Sequence, residues 1–342
     1  MKAMLLEQLG TVDQDATPLR LADWPDPLPG DDEVLIRVHA CGVFHTELDE
    51  IEGRTAPSQL PMVLGHQVIG RVVAASNHVN QWREGDRVGV AWIFSACGLC
   101  SYCLSDRENL CPEFLATGRD RFGGYAQLMA ARADYVYRIP DCMADVDAAP
   151  LLCAGAIGYR SLRLTNLPDG QNLGLTGFGA SAHLVLKMAR HRLPKTRVFV
   201  YARGQQERAF ALELGAVWAG HTSEPSPVKL DAIIDTTPAW APVVEALKNL
   251  APGGRLVVNA IRKEEADKPE LLRIDYPAHL WLEKEIKSVA NVSRRDVQEF
   301  LALAAEMQIK PKTRTFPLAD ANQALVELKT QSLPGAKVLL VE

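Results

Sequence analysis

Asn172-Leu-Gly-Leu-Thr176 followed by Gly177-Phe178-Gly179-Ala180-Ser181-Ala182 decides the fold. A short apolar run leads into G-x-G-x-x-A, and a helix-forming stretch opens directly behind it, from Ala180 to Arg190. The first glycine permits the tight turn and the second lets the backbone approach a pyrophosphate. The third small residue lets helix and strand pack closely. The helix N-terminus supplies free N–H groups and the positive end of a dipole. In a strand–turn–helix context the motif predicts a dinucleotide site formed by Gly177, Phe178, Gly179, Ala180, Ser181 and Ala182.

The segments on either side agree. Arg197–Ala202 reads as the next strand and Gln205–Leu214 as the next helix, with further strands at Asp231–Asp235 and Arg255–Asn259. This alternation predicts a parallel sheet, doubly wound with helices on both faces. By position, Thr236 and Asn259 at later strand ends line the cofactor crevice. An acidic residue is expected about 20 residues past the glycine turn to hold a ribose 2′-OH. The strand instead ends Tyr201-Ala202-Arg203, and a guanidinium there suits a 2′-phosphate. NADP(H) is therefore expected over NAD(H).

The first 140 residues are different. Glu33–His39, Val68–Ala75 and Asp86–Trp92 read as short strands separated by turn formers, which predicts a β-rich unit. Asp145–Leu164 reads as one helix and marks the change of rhythm. The pattern becomes mixed again after about Asn291.

Four of the seven cysteines lie within fifteen residues, as Cys97-x2-Cys100-x2-Cys103-x7-Cys111. Four thiolates in one loop suit a closed tetrahedral structural zinc. The C-x2-C-x2-C spacing also admits an iron–sulfur cluster, but the seven-residue last gap departs from ferredoxin patterns. Zinc is the expectation. An odd cysteine count rules out a complete intramolecular disulfide framework.

With 342 residues the chain is long enough for two domains, and 37 basic against 42 acidic residues leave a net charge of −5. That argues against nucleic acid and an anionic membrane surface as partners. The longest uncharged run, Val88–Ser105, holds three cysteines, two glycines and three serines, so no transmembrane span is expected. No signal peptide is legible at the start, and a cytoplasmic location is expected.

Together these features resemble the zinc-containing alcohol dehydrogenases of the medium-chain dehydrogenase/reductase superfamily. The resemblance rests on His45-Thr46-Glu47, Gly65-His66, Gly85-Asp86-Arg87-Val88, the four-cysteine lobe, Gly123-Gly124-Tyr125-Ala126, Pro150-Leu-Leu-Cys153-Ala-Gly155, the glycine turn and Pro252-Gly253-Gly254. It implies an α/β chain with a GroES-like β-rich catalytic domain over 1–154, carrying the zinc lobe at about 95–113. A Rossmann domain over 155–290 and a return to the catalytic domain over 291–342 complete it. It also implies a small-molecule substrate and a homodimer or homotetramer.

The departures carry as much information. The family usually reads G-x-C-[HR]-[ST]-[DE], then G-H-E, then a later Cys, and Cys, His and Cys hold a catalytic zinc. Here Phe44 stands at the first ligand position, and Gln67 replaces the acid beside His66. Only His66 and Cys153 remain, so catalytic zinc is expected to be absent or weak. Cys41 is about 10 Å along an extended strand from Phe44 and is read as a small buried hydrophobe. Glu47 is another possible ligand, but in the family an acid there more often orients the histidine from behind. His183 and His279 are read as structural or solvated. The resemblance suggests Thr46 as a hydroxyl donor to substrate oxygen. It suggests His45 as a contact to the cofactor pyrophosphate or a proton carrier, and His66 as an acid.

Without a Lewis acid, reduction of a C=C bond conjugated to a carbonyl is favoured over direct carbonyl reduction, as in zinc-lacking relatives of the superfamily. An alcohol dehydrogenase or aldehyde reductase with unusual zinc ligation stays open as the alternative. A catalytically dead relative that binds cofactor remains a third reading.

Overall fold

A computed structural model describes residues 1–331 and 335–342. Cα packing divides the chain into two compact units, Met1–Ala156 with Val292–Glu342, and Ile157–Asn291.

The first unit opens with β1 (Lys2–Leu6), β2 (Leu19–Asp23), β3 (Glu33–Val43) and α1 (His45–Ile51). It continues with β4 (Met62–Val63), β5 (Val68–Ala75), β6 (Arg87–Val90), β7 (Ile93–Ser95), β8 (Leu115–Ala116), β9 (Leu128–Arg132) and β10 (Val136–Arg138). β3 is the spine, and it buries Val34, Ile36 and Val38 on one face, as period-two alternation requires. It runs four residues past the predicted end because its second half is paired on both sides. β5 lies antiparallel to it from Ala75 to Val68. On the other side a late strand of the chain pairs with residues 40–43. The predicted strand Asp86–Trp92 is shorter, covering Arg87–Val90, and is followed after a break by β7.

The helix expected over Asp145–Leu164 is not continuous. It consists of α2 (Asp145–Pro150), a π-helical turn at Leu151–Gly155, and α3 (Ala156–Thr165). Pro150 contributes no backbone N–H and its ring crowds the preceding turn, which favours a wider pitch there. Gly155 completes the turn with no side chain, since a Cβ there would lie 2.2 Å from the Phe300 ring.

The second unit continues with β11 (Asn172–Thr176), α4 (Ala180–Arg192), β12 (Arg197–Tyr201), α5 (Gln205–Glu213), β13 (Trp218–Gly220), β14 (Leu230–Asp235), α6 (Ala241–Asn249), β15 (Leu250–Val258), α7 (Tyr276–His279) and β16 (Glu285–Ser288). Its six strands pair in parallel in the order β13-β12-β11-β14-β15-β16. The strand order reverses between β11 and β14, and in such sheets the ligand crevice opens at the carboxyl ends beside that switch point. β15 starts at Leu250, five residues before the predicted strand.

The chain then returns to the first unit with α8 (Arg294–Glu306), β17 (Thr313–Pro317), α9 (Ala321–Thr330) and β18 (Ala336–Leu340). Ser293 caps α8 reciprocally with Asp296, and β18 closes the sheet against β3. No helix among the described residues is long and apolar enough to cross a membrane.

Candidate functional site

The glycine turn is built as the motif requires. Gly177 adopts φ +77°, and a Cβ there would lie 2.9 Å from Thr236 Oγ1 and 3.0 Å from Thr237 Cγ2. The Gly177 N–H donates to Tyr201 O at 2.8 Å, fixing the turn to the end of β12. Gly179 is exposed, and a Cβ built on it meets no atom within 4 Å. Open space above the second glycine is what a pyrophosphate needs. Ala180 and Ser181 open α4, and Ala182 is fully buried where helix meets sheet. Phe178 is buried against the Phe210 ring.

Thr236 follows β14, with its N–H and Oγ1 both donating to Thr176 O. Asn259 follows β15, is buried, and its Nδ2 has no hydrogen-bond partner. A buried donor without an acceptor calls for one, and these strand ends offer a place for a cofactor amide or phosphate. The Arg203 side chain is exposed two residues past β12. Its carbonyl, with that of Ala202, accepts from Arg208 Nη1 at 2.8 Å, so the loop carrying the guanidinium is anchored. Open space over Gly179 and an orphaned donor at Asn259 fit a bound NAD(P).

In the first unit, Cys97, Cys100, Cys103 and Cys111 bring all four sulfurs within 4.8 Å of one another. The Cys100–Cys103 and Cys97–Cys103 sulfur separations are 3.6 and 3.9 Å. Tetrahedral zinc with bonds of about 2.3 Å has sulfur–sulfur edges of roughly 3.8 Å. Backbone N–H groups of Leu99 and Cys100 hold the Cys97 thiol down to about 7, while burial pushes Cys103 up to about 12. The donor set fits a structural zinc with no vacant ligand position.

The segment around residue 44 is arranged differently. Phe44 is the N-cap of α1, in extended conformation, with its ring edge-on to His45 at 5.5 Å. His45 is exposed and Thr46 is buried. Glu47 is fully buried and uses both oxygens: Oε2 accepts the Phe44 N–H at 2.8 Å and Oε1 lies 2.6 Å from His66 Nδ1. Burial alone favours a neutral His66 ring. The Glu47 carboxylate and Cys153 outweigh it and hold the ring well above its ordinary value. His66 Nε2 has no hydrogen-bond partner. Cys153 is buried within the π-helical turn.

As placed, these residues do not supply three protein ligands to a second metal. Among the described residues, only the four-cysteine lobe gathers three or more His, Cys, Asp or Glu ligand atoms. Phe44 has no lone pair to offer. Cys41 is buried with its sulfur packed under Gly65, where a Cβ would lie 2.8 Å away. Gln67 is buried, with its Oε1 over Gly42 and its Nε2 unpartnered.

Sequence reasoning missed Glu50 altogether. It is buried on α1, and neither oxygen has a hydrogen-bond partner. Burial and then the nearby Glu47 charge push its carboxyl well above the usual range. A carboxylate three residues past Glu47, on the same helix face, was the available signal. His183 lies on α4, its Nδ1 3.1 Å from Gly179 O, and His279 is buried with Nδ1 2.9 Å from Asp275 O.

The family model for the alcohol dehydrogenase GroES-like domain matches residues 30–141. A probable alcohol dehydrogenase, AdhA, of Mycobacterium tuberculosis (strain CDC 1551 / Oshkosh) is 39% identical over 332 residues, 96% of this chain and 94% of that protein. An alcohol dehydrogenase of Geobacillus stearothermophilus is 31% identical over the whole of both chains. The crystal structure of AibC superposes with a TM-score of 0.89 at 26% identity, covering 100% of this chain and 96% of that one. The chain belongs to the zinc-type alcohol dehydrogenase family of the medium-chain dehydrogenases/reductases, and it is an NAD(P)-dependent oxidoreductase.

Proposed function

We propose that the protein reduces an activated C=C bond, in an enone or an enoyl thioester, with NADPH as the preferred reductant. The observation that carries this reading is Phe44 at the N-cap of α1, where the family places a metal-binding cysteine. Catalytic zinc is absent or weakly held in this reading, and the one firm metal site is the structural Cys97–Cys111 lobe. Arg203 supports NADPH, because it is exposed on a loop anchored by Arg208.

A nicotinamide held at the glycine turn would supply the hydride that the β-carbon accepts. The alkene electron pair then moves toward the carbonyl as an enolate, whose charge is spread over carbon and oxygen. Thr46 donates to that oxygen. Such donors stabilise developing charge best when they are fixed in place. His66, braced by Glu47, holds a proton and delivers it to the α-carbon. His45 steadies the cofactor pyrophosphate or relays a proton from solvent.

A second reading has specific support. His66 and Cys153 are both retained, His66 Nε2 lacks a partner, and two curated relatives are alcohol dehydrogenases. A zinc held by these two residues with a substitute ligand would serve aldehyde reduction.

NADPH oxidation separates the readings. Turnover with crotonyl-type thioesters or enones, without turnover of simple aldehydes, is the expected result. Aldehyde turnover that depends on added zinc supports the second reading. Activity with neither class reduces the protein to a cofactor binder. A homodimer or homotetramer completes the proposal. The β16 edge is exposed along its length, as are the neighbouring Trp281 and Leu282. Light scattering of wild type and Ile286→Lys tests it. A cytoplasmic location is proposed because the thiolate lobe needs a reducing compartment.

A further inference from the structure

Lys263 and Asp235 form a buried ion pair that no quoted motif contains. The Asp235 side chain is 0% exposed and that of Lys263 is 8% exposed. Lys263 Nζ donates to Asp235 Oδ2, to Thr237 O at 2.7 Å and to Ala239 O at 3.0 Å. Three N–H groups meet three acceptors, so the ammonium has no donor left for a ligand. Asp235 Oδ1 in turn accepts from Thr237 Oγ1 at 2.8 Å and from its N–H at 3.3 Å.

Asp235 is the last residue of β14, and the other two acceptors of Lys263 lie on the loop that leaves it. The same loop presents Thr236 and Thr237 to Gly177, at distances that leave no room for a methyl group. Three more bonds tie it and the residues just after it to the segment carrying Lys263. The Glu264 N–H donates to Pro238 O at 2.8 Å, and Asp267 Oδ2 accepts the Trp240 and Ala241 N–H groups at 2.8 and 2.9 Å. Residues 263–267 therefore strap the loop that walls the crevice beside the glycine turn.

We infer that Lys263 is a positioning residue for cofactor binding, clamping the loop 235–239 through Asp235 so that Thr236 and Thr237 stand fixed against Gly177 before the dinucleotide arrives. The inference rests on reading the glycine turn as the cofactor site. Its physical basis is preorganisation: a wall that must be ordered on binding weakens affinity, and one already ordered does not. Lys263 itself touches no cofactor, since its three protons are committed.

The test is titration of the full-length protein with NADPH and with NADH, followed by fluorescence, together with steady-state kinetics. Lys263→Met is expected to raise the NADPH Kd and KM by about tenfold or more, with kcat at saturating cofactor within about threefold of wild type and zinc content unchanged. Because removing one partner of a buried pair leaves a strongly destabilising unpaired charge, Lys263→Met/Asp235→Asn is made in parallel, with no charge left buried. It is expected to fold and to show the same weakened binding. A folded variant that loses thermal stability but keeps wild-type Kd overturns the inference and leaves Lys263 a purely structural residue. Failure of the wild-type protein to bind either dinucleotide instead overturns the glycine-turn reading, and the inference with it.

Discussion

Glu47 Oε1 lies 2.6 Å from His66 Nδ1, with both side chains essentially removed from solvent. The other Glu47 oxygen accepts the Phe44 N–H. One carboxylate thus fixes the orientation of His66 and caps the helix on which it stands. Nδ1 is engaged by the carboxylate, so Nε2 is the ring nitrogen left without a hydrogen-bond partner.

Removing that carboxylate leaves a buried imidazole without its partner. Glu47→Ala is expected to lower unfolding free energy by about 3–5 kcal/mol, as for other broken buried pairs. Glu47→Gln keeps the shape and an acceptor, and costs less, about 1–2 kcal/mol. Urea titration of the two variants measures both. A loss below 1 kcal/mol in the alanine variant would show that the pair contributes little.

The ligand set predicts metal stoichiometry. Purified protein should carry about one zinc per subunit, held by the cysteine lobe. Cys103→Ser should lose it and unfold at lower temperature, because metal binding by the four thiolates adds to the free energy of folding. Phe44→Cys should raise the content toward about two. Elemental analysis reads both, and a wild-type value near two would contradict the assignment of residue 44.

The two glycines of the turn should respond in opposite ways. Gly177→Ala meets a positive φ and the Thr236 hydroxyl, and is expected to cost about 1–3 kcal/mol of stability. Gly179→Val enters open space at an ordinary backbone angle, φ −93°. It should leave the melting temperature nearly unchanged and weaken cofactor binding by about tenfold or more, because it fills the pyrophosphate position. Calorimetry and cofactor titration on the same samples distinguish the effects.

Cofactor choice should rest on Arg203. Arg203→Ala is expected to cut kcat/KM for NADPH by about ten- to a hundredfold, the worth of a hydrogen bond to a charged group. NADH should be used about as well as before. Equal losses with both cofactors would remove Arg203 from 2′-phosphate recognition.

Acid stability should carry a contribution from Glu52, next to the end of α1. Burial pushes its carboxyl up, but Lys329, the Val12 N–H and Arg54 outweigh burial and bring it to about 2, from an ordinary 4.5. A depressed folded-state value stabilises above the unfolded value and fades as pH falls through the folded one. The contribution is therefore complete above about pH 4.5 and lost between there and about pH 2. Glu52→Gln should flatten the wild-type dependence in that window, read from urea midpoints at stepped pH.

Much of this protein was legible where the chemistry is local. The glycine turn, the four-cysteine spacing and Phe44 beside His45 and Thr46 are contiguous, and backbone geometry or ligand count constrains each. Strand β5 was read to its exact ends because its apolar run is bounded by turn formers. The single helix expected over 145–164 failed for a local reason of another kind. Pro150 does not end the helix but widens it, and the outcome depends on Phe300 packing against Gly155 from far along the chain.

What the linear chain established, then, was which groups exist and which family pattern they follow or break: a glycine turn between strand and helix, a four-cysteine lobe, and a phenylalanine where the family pattern expects a cysteine. Folding alone decided their partners. Glu47 meets His66 across 19 residues, Lys263 meets Asp235 across 28, and Glu50 is sealed from solvent with no donor in reach. Pairing and burial arise from long-range packing, and the energy of a charge depends on what surrounds it rather than on its neighbours in sequence.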